Sequence, residues 1–113
     1  MKIALLAHRN TPIDSAVEKY NPTLIIQSDH KHWLADTALK LDEYIYLEGN
    51  AVDLAVVLID QTGDITAIDN TVRFWGDSFY CRPHVLAAVS SGYKMSNWTL
   101  KSLLTRLGYD YVV

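Results

Sequence analysis

Two apolar runs of strand length, Ile3 to Ala7 and Thr23 to Gln27, enclose a stretch in which Ile13, Ala16, Val17 and Tyr20 recur at helical spacing. Strand, helix and strand in so short a span form a βαβ unit. If the two strands are parallel neighbours, their crossover is right-handed. Thr11-Pro12-Ile13-Asp14 reads as the helix start, with Thr11 as N-cap, Pro12 at the first helical position where its missing N–H costs nothing, and Asp14 able to reach back to the cap. Asn21-Pro22 closes the helix, because the residue before a proline avoids the helical region.

Beyond the second run, Ser28 or Asp29 can cap a second helix, whose apolar face is Leu34, Ala38 and Leu41 and which ends near Leu41. From Glu43 the period changes to two, with Tyr44, Tyr46 and Glu48 alternating with Ile45 and Leu47 before Gly49-Asn50. Leu54 to Ile59 is the most apolar stretch, β-branched at Val56, Val57 and Ile59, and suits the central strand. Gln61-Thr62-Gly63-Asp64 then reads as a turn leading to Ile65, Ala67 and Ile68, so residues 43–69 are expected to form an antiparallel meander.

Residues 71–80 fit no period and read as an aromatic loop. Pro83 suits the start of a third helix, with Val85, Leu86, Ala88 and Val89 as its apolar face and Gly92 after its end. Leu100, Leu103, Leu104 and Leu107 mark a last helix beginning at Ser96, and Tyr109 to Val113 a closing strand. The expected fold is thus α/β or α+β: a single small domain over residues 1–113, with a mixed sheet of about five or six strands and about four helices.

Composition narrows the class. Half of the 113 residues are apolar, enough for one core, and 10 basic against 13 acidic side chains give a net charge of −3. The basic excess that nucleic acid demands is missing, so no nucleic-acid partner is expected. Cys81 is the one cysteine, which rules out an intramolecular disulfide and suits a reducing, cytoplasmic setting. His8, Arg9 and Asn10 cut the N-terminal apolar run too short for a signal peptide, and no run approaches the roughly 18 residues of a membrane span, so no membrane association is expected.

In open α/β sheets ligands lie beyond the carboxyl ends of the parallel strands. His8, Arg9, Asn10 and Thr11 follow the first run, and Ser28, Asp29, His30 and His32 follow the second, so parallel pairing would gather them at one edge. Arg9, Asn10 and Thr11 beside a helix start are a candidate site for a phosphate or carboxylate. No GxGxxG or GxxxxGK[ST] loop accompanies them, and no cofactor is expected. His8, Asp29, His30 and His32 offer nitrogen and oxygen ligands to a metal, but without HExxH or paired Cys/His spacing the expectation is a capped helix with exposed imidazoles and no metal.

Candidate catalytic groups are His8, Asp29, His30, Cys81 and His84. Cys81 lies before Pro83, where a helix start would lower a thiol pKa. Tyr44, Tyr46, Phe74, Trp75, Phe79 and Tyr80 form a candidate contact surface, since aromatic rings carry much of the energy of protein interfaces. The leading expectation is therefore an accessory or regulatory protein that binds a protein partner, or a second copy of itself, through this aromatic surface. The alternative is a small hydrolase or transferase that acts on an anionic metabolite at the ends of the first strands.

Overall fold

The runs at residues 3–7 and 54–59 carry no polar alternation, so each must be covered on both faces and flanked by other strands. In the computed structural model, which describes residues 1–59, 83–90 and 109–112, they are adjacent interior strands of a parallel sheet. The strands are β1 (Ile3–His8), β2 (Leu24–Ser28), β3 (Leu54–Ile59), β4 (His84–Ser90) and β5 (Tyr109–Val112), in the spatial order β2-β1-β3-β4-β5. All four pairings are parallel, and the register sets Ala4 beside Leu24 and Ala55, and Val56 beside Leu86.

Two helices cover opposite faces of this sheet. α1 (Asp14–Tyr20) buries Ala16 and lays Ile13, Val17 and Tyr20 over Leu5, Ala7, Val56 and Leu58. α2 (Trp33–Asp42) buries Trp33, Leu34, Ala38 and Leu41 over Ala4, Leu6, Ile26, Ala55, Val57 and Ile59. Alternate residues of β1 and β3 thus serve different halves of the core, as the period of two along a strand requires. The chain steps from β1 outward to β2 and then back across β1 to β3. Two crossovers of one hand made in opposite directions must lie on opposite faces, which is where α1 and α2 sit.

Several local expectations are corrected. α1 begins at Asp14, and its N-cap is Ile13 with no side-chain cap, not Thr11. α2 begins at Trp33 with His32 as N-cap, so neither Ser28 nor Asp29 caps it. The segment with the strand-like period is not a strand: α2 runs into a π-helical turn, Glu43–Leu47, closed by the Glu48 N–H donating to the Glu43 carbonyl at 3.1 Å. In that geometry only Ile45 packs against the core, while Tyr46 and Leu47 turn outward.

The antiparallel meander is therefore absent from the described part of residues 43–69, and the sheet there is parallel rather than mixed. The segment after Pro83 is a strand, not a helix. Its run from Val85 to Val89 has no polar counterface, and it fills the place beside β3 with Ala87 in one half of the core and Ala88 in the other. Two α-helices are present among the described residues. The expected turn at 61–64, the strand at 65–68, the aromatic loop and the last helix lie outside the described residues.

Candidate functional site

Because β1 and β2 are parallel neighbours in register from Ala4↔Leu24 to His8↔Ser28, both strands end at the same level. The two polar clusters that follow them are therefore side by side. The Arg9 N–H donates to the Ser28 carbonyl at 2.9 Å, continuing the ladder one residue past β1. The Arg9 guanidinium then meets the Asp29 carboxylate at 3.8 Å. With side chains 63% and 72% exposed, this pair is long and well solvated, so it holds the guanidinium weakly and leaves it able to turn to a ligand.

Each loop is fixed by a histidine. The Asn10 N–H donates to Nδ1 of His8 at 3.0 Å, and the His32 N–H donates to Nδ1 of His30 at 3.0 Å. A ring nitrogen that accepts carries no proton, so each neutral ring bears its proton on Nε2 and offers it as a donor. The His8 ring also stands perpendicular to that of buried Trp33, with centroids 6.3 Å apart, and the His30 and His32 rings are 5.8 Å apart. His8 thus meets Trp33 and the Asn10 N–H.

The backbone donors of the first loop are engaged within the protein: Arg9 on Ser28, Asn10 on His8, and Thr11 on the His8 carbonyl at 3.0 Å. Thr11 itself is buried. An anion at this edge would consequently meet side chains, namely the Arg9 guanidinium, the exposed Asn10 amide and imidazole Nε2–H groups, rather than a cradle of main-chain N–H.

Sequence reasoning did not single out Trp33 or Asp36. Ser28, buried at the end of β2, accepts the His30 N–H on its Oγ at 3.1 Å and hydrogen-bonds the Asp36 carboxylate one turn into α2. That hydroxyl is the main cause holding the Asp36 carboxyl below its ordinary range. Desolvation opposes it, and Lys40, at 3.4 Å, and His30 assist. The available signal was the four-residue spacing of Asp36 and Lys40 on a helix that begins just past the histidines.

The remaining candidates separate. His84 opens β4 at the level of Leu54 and Ile3, the amino edge of the sheet, with its N–H donating to the Asp53 carbonyl at 2.9 Å. Five residues of strand separate that level from His8, about 17 Å at the rise of a parallel strand. His84 therefore cannot share a site with His8, Asp29 or His30. Cys81, Phe74, Trp75, Phe79 and Tyr80 lie outside the described residues, and Tyr44 and Tyr46 lie on the π-helical turn.

Among the described residues no three His, Cys, Asp or Glu side chains converge as a metal site, and no helix is long and apolar enough to cross a membrane. Comparison with protein-family models, with curated proteins and with solved structures finds no match.

Proposed function

We propose that the protein is a ligand-binding domain that receives a phosphate- or carboxylate-bearing small molecule beyond the carboxyl end of β1, with the loop after β2 alongside. The observation that carries this reading is the strand order. In a β2-β1-β3-β4-β5 parallel sheet the chain leaves β1 in one direction and β3 in the other, which opens a crevice at their carboxyl ends where ligands of such sheets bind. The residues at that end of β1 are His8, Arg9 and Asn10, which offer side-chain donors, with the Asp29 carboxylate 3.8 Å from the Arg9 guanidinium. An acceptor-only group such as phosphate or carboxylate matches this set. If the ligand is transformed, the same edge serves a hydrolase or transferase, with imidazole Nε2–H hydrogen-bonding the negative charge that develops on the ligand.

Inorganic phosphate is the probe. Anything that binds the native state alone raises the melting temperature. Increasing phosphate should therefore raise the Tm of the wild type above that in equal ionic strength of chloride. Arg9→Ala should abolish the increment while leaving the phosphate-free Tm nearly unchanged, because the Arg9–Asp29 pair is exposed. A wild-type Tm that follows ionic strength alone, or an increment that survives Arg9→Ala, contradicts the reading.

A second reading, attachment to a protein partner or a second copy, is favoured by a different observation. Leu39 (57% exposed), Tyr46 (42%) and Leu47 (82%) are large apolar side chains presented to solvent on α2 and the turn that continues it. It predicts that Leu39→Glu with Leu47→Glu changes the oligomeric mass seen by light scattering, or abolishes capture of the partner, without loss of fold. The phosphate response should be untouched.

A further inference from the structure

We propose that His8 and His30 are paired acid-sensitive clasps, which hold the two loops at the carboxyl edge of the sheet while neutral and release them when protonated. The proposal concerns the loops of the anion reading but stands whether or not a ligand binds.

The same device occurs twice at one edge. In each loop an imidazole Nδ1 accepts the backbone N–H of the residue two further on, Asn10 in the first loop and His32 in the second, both at 3.0 Å. Such a bond exists only while Nδ1 is bare. Imidazole is the side chain whose charge changes between about pH 5 and about pH 8. Once it is protonated, both ring nitrogens are donors, and an Nδ1–H set against a backbone N–H is a repulsive contact. The ring must swing away, and the amide N–H turns to water.

The other bonds of the edge do not involve an imidazole. Arg9 N–H to the Ser28 carbonyl, Thr11 N–H to the His8 carbonyl and His30 N–H to Ser28 Oγ all persist. Release is thereby confined to the tips of the loops, and the sheet is not disturbed. Buried Trp33 stands perpendicular to the His8 ring at 6.3 Å and bounds it on the α2 side.

The charged and titratable groups around the clasps, among the described residues, are of both signs. Asp29 and Arg9 pair beside the two loops, Lys31 lies between His30 and His32, Asp36 and Lys40 pair on α2, and the His32 ring is 5.8 Å from that of His30. Acid thus makes the edge more positive and less ordered at once.

Asparagine provides the discriminating substitution. Its Oδ1 sits at nearly the place of imidazole Nδ1 and accepts the N–H two residues on, as in an Asx turn, but it does not titrate. The experiment is an amide proton and imidazole nitrogen NMR titration of the whole protein from about pH 8 to about pH 5. In the wild type, the hydrogen-bonded amide shifts of Asn10 and His32 should be lost in step with protonation of His8 and His30, while those of Arg9 and Thr11 hold. In the His8→Asn, His30→Asn double variant, both amides should keep their shifts across the range. Wild-type Asn10 and His32 amides that stay unmoved as the rings titrate overturn the proposal. So does a double variant whose amides move as the wild type's do. Should the variant not fold, the wild-type titration decides alone.

Discussion

Asn21 is the one non-glycine residue with positive φ among the described residues, at 47°, and its N–H donates to the Val17 carbonyl at 2.9 Å to finish α1. Asparagine accepts this left-handed geometry because its short polar side chain lowers the cost that a β-carbon imposes. Asn21→Gly should leave stability nearly unchanged, whereas Asn21→Val should cost about 1–2 kcal/mol by denaturant unfolding. Equal stabilities of the two variants would contradict the conformation. This helix end was legible from Asn21-Pro22, but the helix starts were not. Thr11 and Asp29 are sound caps in isolation, but α1 and α2 begin only at Asp14 and Trp33, and Asp29 is set against Arg9 instead, a contact that only the pairing of β1 with β2 creates. Asp36 gives a second prediction. Its carboxyl is held low chiefly by the Ser28 hydroxyl, so Ser28→Ala should raise its pKa toward the ordinary value in a carboxyl-carbon NMR titration. A group depressed in the folded state stabilises above its unfolded pKa and loses that contribution as pH falls through the folded value. The stability gap between wild type and Ser28→Ala should hence narrow in acid; a gap that widens there would contradict the assignment.

Elements tell a similar story of partial legibility. β1, α1, β2, α2 and β3 follow from apolar runs and helical spacing, because each is covered as its own pattern demands. Among the described residues, two segments depart from their sequence pattern, each because a short pattern fits two structures. Tyr44 to Leu47 alternates like a strand, yet it continues α2 in a π-helical turn in which Ile45 alone reaches the core. Residues 85–89 contain helical spacings, yet the absence of any polar face marks a strand buried on both sides, and Ala87 and Ala88 divide between the two halves of the core. The load on β1 is measurable. Leu6 is wholly buried between β2 and β3 under α2, and Leu6→Ala should cost about 2–5 kcal/mol in denaturant unfolding. Leu39→Ala on the outer face of α2 should stay within about 0.5 kcal/mol of the wild type. A Leu6→Ala cost as small as that of Leu39→Ala would mean that this strand is not interior.

For the whole molecule, the arrangement that matters is the reversal of direction between β1 and β3. Sequence placed His8 to Thr11 and Ser28 to His32 at a common edge on the condition that β1 and β2 are parallel neighbours, and the register fulfils that condition. The order of the remaining strands was not legible, since strand order is set by which faces α1 and α2 cover and not by any local motif. That order also removes His84 to the opposite edge, a separation that residue spacing alone could not reveal. Amide chemical-shift mapping with inorganic phosphate, against chloride of equal ionic strength, tests the proposed anion site at the carboxyl edge of β1. Binding there gives saturable shifts concentrated at residues 8–11 and 28–32 and absent from Asp53 and His84 at the amino edge; shifts that fail to saturate, or that gather at the amino edge or along α2, rule the site out.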